Sequence, residues 1–299
     1  MDLSIIIVSW NVSELLARLI DSILQFTEEL QYEIIVIDND SRDSTAKLLK
    51  EQYQQQITGK QIVIIANDFN AGFAKANNQG LKIARGKYVV FMNPDMELVE
   101  NSFLKLKQLI EQMPDAGIAT CRLLYADKTV QPNVKGNPTF FSQLLILLKL
   151  HHFLRSLPSL KKYFQIDFDY SRKQYVEQVM GALIFMKKEI ADKIGGWDEN
   201  YWLWWEDIEL CKNIKERGLE IVYLPITEII HYEGKSFSQT SGWSKQKRFN
   251  RGMLTYFKKR RNYIAYYILL ALQPVSYILT VLTKIFRVKP RSQSFIDKK

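Results

Sequence analysis

The stretch Ala84-Arg85-Gly86-Lys87-Tyr88-Val89-Val90-Phe91-Met92-Asn93-Pro94-Asp95 decides the fold. Its apolar and aromatic run, Tyr88–Met92, is too short for a helix and rich in β-branched and aromatic types. It predicts a strand buried on both faces. Asn93-Pro94 stops that strand, because proline brings no ladder donor, and a carboxylate, Asp95, follows at once. Open α/β sheets bind ligands just beyond the carboxyl ends of their strands. An acid there is suited to a divalent cation that in turn holds a diphosphate, although an aspartate in an ordinary turn has the same pattern.

The residues before it repeat the theme. Leu3–Ser9 predicts a first buried strand, and Asn11-Val12-Ser13-Glu14 reads as a capping box. Leu15, Leu16, Leu19, Ile20, Ile23 and Leu24 then recur at helical spacing. Glu33–Asp38 predicts a second strand ending in a carboxylate, followed by a polar loop and a helix from about Thr45 to Gln55. Ile62–Ala66 predicts a third strand and Phe73–Ala84 the next helix. This alternation implies a parallel sheet with right-handed crossovers and helices on both faces. Neither G-x-G-x-x-G nor G-x-x-x-x-G-K-[ST] is present, so Asp38 and Asp95 point to a nucleotide held through its ribose or base and a metal.

Beyond Asp95, Asn101–Met113 predicts a helix, and Gly117–Tyr125 with Thr129–Gln131 a hairpin around Ala126-Asp127-Lys128. Phe140–Leu160, with Lys149, His151, His152 and Arg155 among its Leu and Phe residues, reads as one or two amphipathic helices that pack on the core or touch a membrane. Val176–Met180 and Gly181–Met186 predict strands separated by a tight glycine, and Lys188–Ile194 a short helix. In Gly195-Gly196-Trp197-Asp198-Glu199-Asn200-Tyr201-Trp202-Leu203-Trp204-Trp205-Glu206-Asp207, the two acids precede Ile208, Cys211 and Ile214 at helical spacing. They therefore open a helix whose amino-terminal dipole favours ionised carboxylates, and such a group in a cleft can act as a general base. Acids are also common in first turns for no catalytic reason.

Charge divides the chain. The 299 residues carry a net +9, but residues 235–299 hold fifteen Lys and Arg against one acid, while the preceding 234 residues are net −5. Nucleic acid and anionic lipid are the partners such a basic segment suggests. The apolar fraction of 47% excludes wholesale disorder. Cys121 and Cys211 stand far apart in no metal-like spacing, which suits a reducing compartment. The amino terminus has no basic n-region, and Leu3–Val8 is too short for a signal peptide.

Taken in order, several of these stretches resemble glycosyltransferase family 2, particularly its bacterial rhamnosyltransferase-like members, over roughly residues 3–240. They are Ser4–Asn11 (SIIIVSWN), Ile35–Thr45 (IVIDNDSRDST), Asn67–Gly80 (NDFNAGFAKANNQG), Phe91–Asp95 (FMNPD) and Gly195–Cys211 (GGWDENYWLWWEDIELC). His231, followed by Glu233-Gly234-Lys235-Ser236, completes the series. Each is weak alone; six in order are strong. Where many relatives carry D-x-D this chain has Asn93-Pro94-Asp95, which leaves Asp95 as the principal metal-binding acid.

The resemblance implies a GT-A fold, a Rossmann-like mixed α/β sheet with helices on both faces, and an inverting transfer from a nucleotide-diphospho-sugar. It implies that Asp38 binds the base or ribose with Ser9 and Asn39 alongside, and that Asn70, Gly72, Phe73 and Asn77 shape the donor pocket. Asp95 would hold Mg²⁺ or Mn²⁺ on the diphosphate, with Asn93 beside it and His231 completing the coordination or touching the diphosphate. Asp207 is the expected base, with Glu206 as the alternative, and Trp204 and Trp205 are candidates to stack on a sugar. One or two of the five aromatics in 197–205 are expected in the site, the others in the core. By resemblance the donor is first dTDP-rhamnose, then a UDP-linked galactofuranose or hexose. The acceptor is a lipid-linked sugar or glycan.

The chain thus divides into a GT-A domain, 1–240, and a basic helical tail, 241–299. The domain has a nucleotide-binding half (1–98) and an acceptor half (99–240) carrying an amphipathic insert at about 139–165. Lys258-Lys259-Arg260-Arg261 precede an uncharged run, Asn262–Thr283, interrupted by Gln273-Pro274 and followed by Lys284, Arg287, Lys289 and Arg291. The tail is expected to lie on an anionic membrane surface, on the cytoplasmic face of the inner membrane, as a bent helix pair; a single span or a soluble packed helix are the other readings. With an enzyme assigned, no nucleic-acid partner is expected. The competing classes are a nucleotidyltransferase, disfavoured by the lack of a glycine-rich basic loop after the first strand, and a non-catalytic binding protein using the tail, disfavoured by the intact acids.

Overall fold

A computed structural model describes residues 1–232 and 242–285. Glu233-Gly234-Lys235-Ser236, the 240/241 boundary, and Arg287, Lys289 and Arg291 lie outside the described residues.

The first half is built as the apolar runs dictate. Its elements are β1 (Leu3–Ser9), α1 (Ser13–Phe26), β2 (Tyr32–Asp38), α2 (Thr45–Gln52), α3 (Gln54–Thr58), β3 (Ile62–Ala66), α4 (Phe73–Ile83) and β4 (Tyr88–Met92). The strands lie parallel in the order β3-β2-β1-β4. Every residue of β4 is buried, as expected of a strand covered on both faces. Two local expectations change. Val12, not a polar residue, precedes α1, and no side chain caps that helix; Ser13 N instead donates to Asp43 Oδ2 at 3.0 Å, binding the two loops that follow β1 and β2. The single helix expected over 45–55 breaks at Tyr53, whose hydroxyl turns to Asp21 Oδ1 at 2.8 Å.

The second half adds β5 (Met96–Leu98), α5 (Ser102–Glu111), β6 (Ala116–Leu124), β7 (Val130–Gln131), β8 (Val134–Lys135), α6 (Phe140–Leu147), α7 (Pro158–Phe164), β9 (Gln174–Tyr175) and β10 (Gln178–Val179). β11 (Leu183–Lys187), α8 (Lys188–Ile194), α9 (Glu206–Glu216) and β12 (Glu220–His231) follow. β6 and β7 form the expected hairpin. The strand expected over 176–180 shrinks to β10, which pairs with β8 away from the main sheet. β11 runs antiparallel to β4, Leu183 opposite Met92, and continues the sheet as β4-β11-β6-β12-β5. The sheet is therefore mixed. One apolar core lies between it and α1 and α5, the other between it and α4, α8 and α9.

Beyond the sheet, α10 (Gly242–Lys259), α11 (Tyr263–Ala271) and α12 (Gln273–Ile285) pack together and on the α9 side of the body. Part of the basic cluster expected to face a membrane is used internally. Lys259 pairs with Asp198 at 2.6 Å and with buried Glu209 at 2.7 Å, and Arg260 bridges Glu209 and Glu216. Burial favours a charge in the interior only when it is paired, so these contacts lock α10 to α9.

At the amino-terminal end of β2, Glu33 is 1% exposed and accepts from Ser4 Oγ, Arg85 N and the Arg85 guanidinium at 2.6–2.9 Å. Burial alone would raise its carboxyl, but the Arg85 and Ser4 hydrogen bonds outweigh it and hold the group below the ordinary carboxylate range. Its contribution is therefore complete at neutral pH and lost as pH falls through that lowered value. Glu33→Ala should cost about 2 kcal/mol at pH 7 and less at low pH, measured by urea unfolding at both pH values.

Candidate active site

Two strands end side by side at Ser9 and Asp38, which are paired in register. Asn39 N donates to Ser9 O at 2.9 Å. The buried Asn39 amide then organises the loop before α4: Nδ2 donates to Asn70 Oδ1 at 3.0 Å, and Oδ1 accepts from Asn67 Nδ2 and Ala71 N. Gly72 turns that loop at φ +86°, and a Cβ there would sit 2.7 Å from Trp202 O, so only glycine serves. Phe73 N closes the contact by donating to the same Trp202 carbonyl at 2.9 Å.

A cavity opens over these strand ends. Asn39, Asn70, Gly72, Phe73, Asn93 and Asp95 line it, with Val8, Trp10, Trp202 and Arg248 among the other walls. Ser9 and Asp38 lie buried at the strand ends without lining it; the Ser9 hydroxyl has no hydrogen-bond partner among the described residues, and Asp38 accepts from Ser41 N at 3.1 Å. Asn77 is spent within α4, donating to Phe73 O at 3.0 Å.

His231 reaches Asp95 through strand register, since β12 sets it opposite Met96, the residue after Asp95. Its Nδ1 lies 2.8 Å from Gln131 Oε1, which accepts from the tautomer that carries its proton on Nδ1. Nε2 faces Asn93 Nδ2, a donor, at 3.4 Å and Asp95 Oδ1 at 3.3 Å. In the tautomer protonated on Nδ1, the Nε2 lone pair and the carboxylate oxygen form a donor pair suited to a cation. Among the described residues no group of three or more His, Cys, Asp or Glu converges. Asp95 and His231 would thus supply two ligands, the remainder coming from phosphate oxygens and water, as is usual for Mg²⁺.

The fold has a second cavity. Lys135, Tyr163, Gln178, Trp204, Asp207 and Gln246 line it, together with Trp205, Lys245 and Phe249. Residues 202–205 and one helix, α10, supply walls to both cavities. Asp207 and the Asn93 backbone are tied to adjacent peptide groups: Gly181 N donates to Asp207 Oδ2 at 3.1 Å, and Asn93 N donates to Ala182 O at 2.9 Å. Burial raises the carboxyl of Asp207, with Lys135 and the Gly181 and Ile208 amides opposing part of the rise. Burial, reinforced by the Asp207 charge, pushes Glu206 up as well; it is 5% exposed and its Oε2 finds no hydrogen-bond partner among the described residues. Asp207 lines the cavity and Glu206 does not.

The turn delivering these acids is strained. Trp204 and Trp205 both adopt left-handed backbone, φ +62° and +75°, at a cost of about 1–3 kcal/mol each. α10 enforces it. Trp205, 1% exposed, packs between Phe249 and Tyr256 and directly against Gly252. Trp205 is thus core rather than a free stacking surface, whereas Trp202 and Trp204 keep part of their surface open.

Residues 4–187 match the family described as Glycosyl transferase family 2, and residues 163–235 match one described as the N-terminal domain of galactosyltransferase. The chain belongs to glycosyltransferase family 2. Among relatives of this family 2 chain, the O-antigen biosynthesis protein RfbC of Myxococcus xanthus is 28% identical over 237 residues. That alignment covers 78% of this chain but only 17% of RfbC. An N-acetylglucosaminyl-diphospho-decaprenol L-rhamnosyltransferase of Mycobacterium tuberculosis (strain ATCC 25618 / H37Rv) is 22% identical over 245 residues, 78% of this chain and 77% of that one. The solved mannosyltransferase PcManGT of Pyrobaculum calidifontis, in complex with GDP-Man and Mn²⁺, superposes with a TM-score of 0.57 at 15% identity, covering 97% of this chain and 76% of that one. The fold is GT-A, as the resemblance implied.

Sequence reasoning missed Trp202, Lys135 and the whole contribution of α10. Phe249, Met253, Tyr256 and Phe257 recur at helical spacing and were the available signal. A Cβ on Gly252 would lie 2.6 Å from Trp205 Cδ1. Gly252→Ala should therefore destabilise the protein by about 1–3 kcal/mol and alter tryptophan fluorescence, as read by thermal unfolding with emission spectra.

Proposed function

We propose that this chain is a cation-dependent, inverting glycosyltransferase. It moves a sugar, rhamnose from dTDP-rhamnose in the first instance, from a nucleotide-diphospho-sugar to a lipid-linked sugar in the assembly of a bacterial surface polysaccharide. The observation that carries the reading is a pair of cavities walled in common by residues 202–205 and α10, one lined by Asp95, with His231 Nε2 3.3 Å from its Oδ1, and the other by Asp207, while the adjacent peptides Gly181 and Ala182 bond to Asp207 and to Asn93 N. The cation would offset charge on the departing diphosphate.

In the step itself, the acceptor hydroxyl gives its proton to Asp207 as its oxygen bonds to the anomeric carbon. The anomeric carbon–oxygen bond to the β-phosphate breaks in line, and the electron pair leaves with the nucleoside diphosphate. A single displacement inverts the configuration. A raised carboxyl suits this role, since a base works best with its pKa near the operating pH.

The names of the relatives support a polysaccharide pathway and a rhamnosyl donor. A membrane-bound acceptor fits the tail. Among the described residues no single helix is long and apolar enough to cross a bilayer, but Tyr263–Ala271 and Gln273–Leu282 form a pair bent by 47°. Ile264, Tyr267 and Ile278 on it are 60–78% exposed, which supports a helix pair lying in a membrane interface.

Purified protein with Mn²⁺ and a panel of nucleotide-sugars should hydrolyse or transfer dTDP-rhamnose, with activity lost in excess chelator. Activity unaffected by chelator would remove the cation from the reading. Asp207→Asn should reduce turnover by about 10²–10⁴-fold while donor binding persists. The pH–rate profile should fall on its acid side as Asp207 is protonated, at a pH above the ordinary carboxylate range because burial raises the group.

A further inference from the structure

The cavity that holds Asp95 contains a second charge. Arg248, on α10, lines it along with the acid, and no other charged side chain does so among the described residues. Its guanidinium carbon stands 3.6 Å over the ring of Trp202. The other arginines with ion pairs, Arg85, Arg122, Arg172 and Arg260, each meet a carboxylate. Arg248 meets none among the described residues. Burial lowers its pKa from the usual arginine value, so the cation carries a desolvation cost that no carboxylate among the described residues offsets.

Stacking fixes the plane of a guanidinium and leaves its N–H edges free, the geometry that suits bidentate contact with a phosphate. Trp202 is itself held, its carbonyl accepting from Phe73 N beside Gly72. The cavity is therefore lined by an acid, Asp95, and by a guanidinium stacked on Trp202 that meets no carboxylate among the described residues. We propose that Arg248 is a donor-binding residue that contacts the diphosphate of the nucleotide-sugar and neutralises charge on the leaving group, so that α10 completes the donor site. This rests on the nucleotide-sugar reading above. It also gives the carboxyl-terminal helices a part in the chemistry besides any contact with a membrane.

The test compares nucleotide binding by calorimetry for the full chain with Mn²⁺, using dTDP and UDP against dTMP and UMP. Arg248→Gln should weaken nucleoside diphosphate binding at least tenfold and monophosphate binding much less. Arg248→Lys, which keeps the charge but not the fork, should give an intermediate loss, and it carries the test if the glutamine variant fails to fold. Lys247→Ala, an exposed neighbour, should change neither. Equal losses for mono- and diphosphates, or no loss in either Arg248 variant, would overturn the assignment. If the wild-type chain binds no nucleoside diphosphate at all, the nucleotide reading itself fails, and that outcome is separable from the others.

Discussion

One pair of adjacent peptide groups, Gly181 and Ala182, constrains the site. Ala182 takes a hydrogen bond from Asn93 at the end of β4, and Gly181 gives one to Asp207 at the start of α9. The antiparallel laying of β11 on β4 makes this possible, because it returns the chain to the carboxyl end of the parallel strands, where an open α/β sheet binds its ligands. Asp207 and the Asn93 backbone two residues before Asp95, more than a hundred residues apart in sequence, are thus fixed to neighbouring peptides, while each acid lines its own cavity.

The helices after the sheet are part of that geometry. Two consecutive left-handed tryptophans are an expensive way to start a helix, and they persist because Gly252, Phe249 and Tyr256 clamp Trp205. Ion pairs from Lys259 and Arg260 to buried Glu209 fasten the clamp to the same helix that carries Glu206 and Asp207. Local strain is thus held by tertiary packing, and the first turn of α9 points its acid into a cavity walled by α10.

Much of the fold was legible because parallel, doubly covered strands are written as continuous apolar runs: Leu3–Ser9, Glu33–Asp38 and Tyr88–Met92 need no partner information to be recognised. The helix opening at Glu206 was legible from Ile208, Cys211 and Ile214. What stayed hidden depended on distance. Nothing local tells that β12 slides His231 beside Asp95, and that placement came from resemblance. The left-handed turn at Trp204-Trp205 breaks the usual preference for glycine and has no sequence signature. The basic tail was read by its charge, which obscured the apolar spacing of Phe249, Met253, Tyr256 and Phe257 and the internal use of Lys259 and Arg260. The expected capping box failed for a related reason: the loop after β1 satisfies its groups on the loop after β2.

The central claim is that the Asp95–His231 pair and Asp207 serve one reaction across the Gly181-Ala182 edge. Diffraction from crystals grown with Mn²⁺ and dTDP, using the anomalous signal of manganese, tests it most directly. The account predicts a manganese peak bound by Asp95 and His231, with the terminal phosphate directed toward Gly181 and the Asp207 cavity. Manganese bound elsewhere, or a diphosphate running away from that edge, would contradict it.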